Sequence, residues 1–169
     1  VWLSRMTYSG DLGYEIWVQP EYQRYLFDLI WEAGQQFGIG LFGFRALITM
    51  RLEKNFGTWF REYRPIYTPL EAGMDRVLKF DHEFIGRKAL ERIAKRPKKQ
   101  KVTLVWDGDD VDKVFTTLFH AGKFRKYIDL PLANYSTLPF DRIEKGGKLI
   151  GLSTYTGYSF NERAMLSLA

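Results

Sequence analysis

At 169 residues, 46% of them hydrophobic and 17% aromatic, the chain carries enough apolar mass for a packed core, which excludes a disordered polypeptide. With no cysteine and only two histidines, His82 and His120, it excludes disulfides, thiolate zinc sites, cysteine nucleophiles and histidine-rich clusters, so no metal site is expected. The net charge of +5 is modest, and no apolar run approaches the roughly 20 residues of a membrane-spanning helix, so a soluble, cytoplasmic protein is expected, with neither nucleic acid nor membrane as partner.

Residues 2–9 and 14–18 are rich in β-formers and flank the turn residues Gly10, Asp11, Leu12 and Gly13, the pattern of a hairpin. After Pro20, the apolar set Tyr22, Tyr25, Leu26, Leu29, Ile30, Ala33 and Phe37 recurs at three- and four-residue steps. That spacing predicts a helix begun by Pro20 and stopped by Gly38 and Gly40. A second helix is expected over 44–54, closed by Gly57, with Arg51 and Glu53 forming a structural ion pair on it. Residues 59–69 mix aromatic and charged side chains with Pro65 and Pro69, so they form an ordered loop and no central strand. Loops of this kind often line a site, and Trp59, Arg61 and Tyr67 are its candidate ligand contacts.

A third helix is expected over 83–94. The basic run of Lys95, Arg96, Pro97, Lys98, Lys99, Gln100 and Lys101 reads as a solvated linker at a domain boundary. Beyond it, 101–106 and 148–155 have strand composition, 109–120 is an amphipathic helix and 129–142 a long irregular loop. Gly146 and Gly147 mark a hairpin into the last strand. His82 and His120 have no motif around them. The chain opens on Val1, already strand-like, and ends on Leu166, Ser167, Leu168 and Ala169 without a polar tail. Truncation at both ends is the expectation, with open strand edges at 149–155 and 164–168. Such a fragment would be inactive alone and would tend to form homo-oligomers.

Four motifs then stand in order. Arg5-Met6-Thr7-Tyr8-Ser9-Gly10-Asp11-Leu12-Gly13-Tyr14-Glu15-Ile16 is the first, and Gly40-Leu41-Phe42-Gly43-Phe44-Arg45-Ala46-Leu47 with Met50-Arg51-Leu52-Glu53 the second. Tyr67-Thr68-Pro69-Leu70-Glu71-Ala72-Gly73 and Phe84-Ile85-Gly86-Arg87-Lys88-Ala89-Leu90 follow. Together they resemble the C-terminal portion of the glycine cleavage T-protein (aminomethyltransferase) superfamily. The stretch Phe56-Gly57-Thr58-Trp59-Phe60-Arg61-Glu62-Tyr63 is more similar to the folate domains of dimethylglycine and sarcosine dehydrogenases. Residues 101–110, 129–135 and 156–159 resemble the folate-dependent aromatic O-demethylases. Where the family has Asp after the motif arginine, this chain has Ala46.

The resemblance implies an α+β fold, with residues 1–80 part of a folate-binding cloverleaf domain and 81–169 a linker helix and an incomplete C-terminal β-barrel. It implies tetrahydrofolate as cofactor and a small-molecule one-carbon donor. Glu15 matches the family glutamate that contacts the pterin, and by strand alternation it faces away from Tyr14 and Ile16. Arg45 matches the cavity arginine, suited to hold a carboxylate, and Tyr8 combines a π-face with a hydroxyl. The family's catalytic aspartate belongs to a segment outside this chain, so no catalytic residue is assigned. The implied function is transfer of a methyl or aminomethyl group to tetrahydrofolate. The alternatives are the folate domain of a flavin-dependent dimethylglycine or sarcosine dehydrogenase and a non-catalytic folate-binding regulatory protein.

Overall fold

The computed structural model describes residues 1–96, 99–133 and 140–169, with the backbone alone at Leu132 and Ala133. Part of the basic run, Pro97 and Lys98, and Asn134 with Tyr135 of the demethylase-like stretch lie outside the described residues.

Strands β1 (Trp2–Arg5) and β2 (Tyr14–Trp17) form the expected antiparallel hairpin, with Leu3 opposite Ile16 and Ser4 opposite Glu15. A 3-10 turn at Pro20–Tyr22 leads into α1 (Gln23–Gly34), where Pro20 presets the helical φ. Gly38, at φ +70°, ends this segment in the left-handed conformation that glycine adopts without strain. Helix α2 (Phe44–Glu53) stops before Gly57 because Asn55 takes the left-handed position, at φ +54°, and the Phe56 N–H caps the Arg51 carbonyl. Gly57 has a different role: it is buried, and a Cβ there would lie 2.6 Å from the Tyr63 ring.

Helix α3 (Arg87–Ala94) begins later than expected, after Gly86 at φ +94°. It is followed by β3 (Thr103–Val105) and by α4 (Gly108–Thr116), whose N-terminus is capped by the Asp107 side chain accepting from the Asp110 N–H at 3.1 Å. The predicted irregular loop over 129–142 contains the two-residue strand β4 (Leu132–Ala133). Strands β5 (Asp141–Lys145) and β6 (Lys148–Ser153) form a hairpin around Gly146 and Gly147, at φ +58° and +72°. Two successive positive φ values give the turn whose twist matches the flanking strands.

The single strand predicted over 148–155 divides at Thr154, whose N–H donates to the Leu168 carbonyl and draws the chain into a different sheet. There β7 (Tyr155–Ser159) and β8 (Ala164–Leu168) complete an antiparallel sheet of order β3-β8-β7-β4. Residues 164–168 therefore do not present an open edge. Leu104 pairs with Ser167 on one side and Gly157 with Leu166 on the other.

The architecture is α+β. Its main hydrophobic cluster joins Ile48 and Leu52 of α2 to Tyr155 of β7 and Leu166 and Leu168 of β8, so the core straddles position 80. Residues 1–44 contain no buried side chain. Among the described residues no helix is long and apolar enough to cross a membrane.

Candidate functional site

A buried polar arrangement lies where α2, the 57–64 loop and the start of β7 meet. Arg51 and Glu62, with side chains 1% and 2% exposed, form an ion pair at 3.3 Å. The Arg51 guanidinium also donates to the Phe56 carbonyl and lies 4.7 Å from the Tyr155 ring centre. Glu62 accepts from the Thr58 N–H at 2.9 Å and from the Thr154 hydroxyl at 2.5 Å. Arg61 donates to the Thr154 carbonyl and lies over the Tyr155 ring at 5.2 Å. Burial lowers the Arg61 pKa, with Glu62 opposing.

The expected Arg51–Glu53 ion pair is absent. Residues two apart on a helix point in different directions, and Glu53 instead accepts from Ser159 Oγ at 2.6 Å and Asn161 Nδ2 at 2.8 Å. It thereby fastens the β7–β8 turn to α2.

Tyr8 and Glu15 occupy one corner. Tyr8 is half-buried and its hydroxyl donates to the Gly57 carbonyl at 3.3 Å. Burial raises its pKa; Arg51 opposes this, and Tyr63, Glu62 and Glu15 add to it. The hairpin turn reaches the same region: Gly10, at φ +92°, lies against the Lys54 side chain, where a Cβ would come within 2.5 Å of Lys54 Cε. Glu15 is more buried than its exposed neighbours Tyr14 and Ile16, and makes no hydrogen bond or ion pair among the described residues. Arg45 is exposed in the first turn of α2. Trp59, 76% exposed, meets Tyr63 edge-on at 6.1 Å between centres.

Tyr67 faces elsewhere, into a cavity of about 190 Å³ lined also by Glu62, Glu71, Lys101, Ile150 and Leu152. Glu62 stands between the two places: it lines the cavity, and its charge reaches Tyr8. Lys101 closes the adjoining wall, donating to the Asn55 carbonyl at 2.8 Å and to Tyr63 Oη at 3.3 Å. Arg61 is thus committed to the strand junction, while Trp59 and Tyr67 face different surroundings. No group of three His, Asp or Glu side chains able to hold a metal occurs among the described residues.

Glu71 carries a pH-dependent contribution. Its carboxylate accepts from the Thr68 N–H at 2.9 Å and the Thr68 hydroxyl at 3.0 Å, while its own N–H donates to Thr68 Oγ1 at 3.2 Å. The Thr68 N–H, foremost, holds the carboxyl below its ordinary 4.5, with Lys99 contributing. A depressed native value means that the stabilisation is present above 4.5 and lost as pH falls through the lower native value. Glu71→Gln is therefore expected to melt below the parent at pH 7, with the difference closing as pH falls below 4.5. An equal difference at every pH in thermal melts would show that the charge contributes nothing.

Residues 1–82 match the family model described as the GCVT N-terminal domain. The chain is 44% identical over 102 residues to syringate O-demethylase of Sphingobium sp., covering 60% of this chain and 22% of that protein. It is 34% identical over 168 residues to the mitochondrial dimethylglycine dehydrogenase of Homo sapiens, covering 98% of this chain and 17% of that protein. To the aminomethyltransferase of Streptomyces coelicolor it is 36% identical over 117 residues, covering 66% of this chain and 32% of that protein. The chain thus spans between 17% and 32% of the length of these relatives. The ordered motifs and these matches agree: residues 1–82 belong to the GCVT N-terminal domain family, and the chain as a whole is similar to proteins of the glycine cleavage T-protein superfamily.

Proposed function

We propose that the protein containing this chain is a tetrahydrofolate-dependent one-carbon transferase, and that these residues contribute to its folate pocket. Reduced folate would accept a methyl- or methylene-level carbon from an amine, ether or sulfonium donor; the cofactor carries the carbon, and the protein supplies position and electrostatics. In this reading residues 1–80 belong to a folate-binding cloverleaf domain, and 81–169 to a linker helix and part of a β-barrel.

The observation that carries the reading is the state of Glu15. It is a half-buried carboxylate with both oxygens unspent among the described residues, close enough to Tyr8 for its charge to raise that phenol's pKa. Such a carboxylate fits the adjacent N–H donors of a reduced pterin, which it can accept side by side. Tyr8 would contribute a π-face beside it. Arg45, exposed and without an ion-pair partner among the described residues, is suited to a carboxylate of the folate tail or of the donor. Trp59 and Tyr67 remain candidates for the mouth of the site.

Calorimetric titration of the full protein with tetrahydrofolate tests this. Glu15→Gln replaces a two-acceptor carboxylate by an amide that presents one acceptor and one donor, and is expected to weaken binding by about 1.5–3 kcal/mol. Equal affinity of the variant and its parent would remove Glu15 from the pocket.

The match to dimethylglycine dehydrogenase runs through nearly the whole chain, which favours a second reading. The chain would then be the folate-binding part of an amine dehydrogenase whose oxidation takes place in another domain. A strand followed by Gly-x-Gly-x-x-Gly in the reading frame upstream of Val1 would favour it.

A further inference from the structure

Lys101 lies beyond residues 1–82, the part matched by the GCVT N-terminal domain, yet its side chain connects through two partners to Tyr8. Its backbone N–H donates to the Glu71 carbonyl at 3.1 Å, which fixes the root of the side chain. The ammonium at the other end donates to the Asn55 carbonyl at 2.8 Å and to Tyr63 Oη at 3.3 Å. It stands 4.9 Å from the centre of the Tyr63 ring, within the range of a cation–π contact.

Tyr63 passes this constraint to Gly57. Its hydroxyl accepts from the Gly57 N–H at 3.1 Å, and a Cβ at Gly57 would come within 2.6 Å of its ring carbons and 2.8 Å of Glu62 Cβ. Glycine is therefore what lets the ring pack directly on this buried stretch of backbone. The Gly57 carbonyl in turn accepts from the Tyr8 hydroxyl at 3.3 Å, from a residue 49 positions earlier in the chain. Tyr8 is only half-buried, so this bond at the tip of the phenol restricts how far the ring can swing. Burial raises the Tyr8 pKa above its ordinary 10.0, so at neutral pH the phenol keeps the proton that the bond needs.

We propose that Gly57, Tyr63 and Lys101 are positioning residues of the folate pocket: Lys101 anchors Tyr63, Tyr63 seats the Gly57 backbone, and the Gly57 carbonyl aims the Tyr8 ring beside Glu15. None of the three has to touch the ligand. The proposal rests on the folate reading of Glu15 and Tyr8, and it makes pterin affinity depend on a residue from the segment between α3 and β3.

A double-mutant cycle, read by calorimetric titration of the full protein with tetrahydrofolate, tests it. Tyr63→Phe keeps the ring and its packing but removes the hydroxyl, and is expected to raise Kd about 3–10-fold, the range set by one neutral hydrogen bond. Lys101→Met keeps the apolar stem and removes the ammonium, and should raise Kd at least about 2-fold. Tyr8→Phe breaks the last link, so in that background neither substitution should change Kd further. A purely structural role would give the same loss with or without the Tyr8 hydroxyl. Thermal melts establish that each variant is folded, and Lys101→Met carries the same cycle if Tyr63→Phe is not. Equal losses in the two Tyr8 backgrounds would overturn the proposal. So would an unchanged Kd for both Tyr63→Phe and Lys101→Met in a protein whose Glu15→Gln variant binds weakly, an outcome that leaves the folate reading standing. Failure of the parent protein to bind tetrahydrofolate would overturn both.

Discussion

Glu62→Ala is expected to destabilise the chain by about 3–5 kcal/mol, the usual loss when one member of a buried ion pair is removed. The variant leaves the Arg51 guanidinium in a site 1% exposed, with the Phe56 carbonyl as its remaining hydrogen-bond acceptor. Arg51 Nε is already buried without a hydrogen-bond partner among the described residues, so the guanidinium has no reserve. The same substitution strips the acceptor from the Thr58 N–H and leaves the Thr154 hydroxyl the Leu168 carbonyl alone, at 3.1 Å. Replacing Arg51 by Met together with Glu62 by Leu should cost less than Glu62→Ala alone, because no charge is left buried. Some loss would persist, since the Thr58 N–H stays unpaired. Urea unfolding at one fixed protein concentration measures all three proteins. A Glu62→Ala loss below about 1 kcal/mol would mean that the pair behaves as a solvated surface contact.

The partners in that junction explain what the sequence could and could not disclose. The helices α1 and α2 and both hairpins were readable because each leaves a local mark: three- and four-residue apolar steps, strand formers around turn residues, the paired glycines at 146 and 147. Arg51 and Glu62 are 11 residues apart, and Arg61 meets Thr154 across 93, separations that leave no periodic trace. A loop rich in arginine and aromatics has the same composition whether its side chains face a ligand or a strand. That is why Arg61 reads as a ligand contact in the sequence and is found holding β7 in the fold. The division of 148–155 at Thr154 has the same origin, a pairing with Leu168 that composition does not encode. Glu15 stands between these cases: alternation predicted its face, but only the motif gave it a role.

Leu52→Ala should lower stability by about 2–5 kcal/mol and should do so for α2 and the sheet together. Leu52 and Leu168 are both 0% exposed and share one cluster with Ile48, Tyr155 and Leu166. The truncated side chain would leave a cavity bounded by α2 on one side and by β7 and β8 on the other, and neither side can collapse without moving the other. The Arg51–Glu62–Thr154 junction and the grip of Glu53 on Ser159 bind the same elements. One cooperative unit is therefore expected on both sides of position 80. Hydrogen exchange read by mass spectrometry distinguishes this from independent domains. In Leu52→Ala, amides of α2, β7 and β8 should lose protection by a common factor, while those of the β1–β2 hairpin, which contributes nothing to the cluster, should change little. Retained protection in β8 alongside lost protection in α2 would show that the two sides unfold separately and that the shared cluster does not couple them.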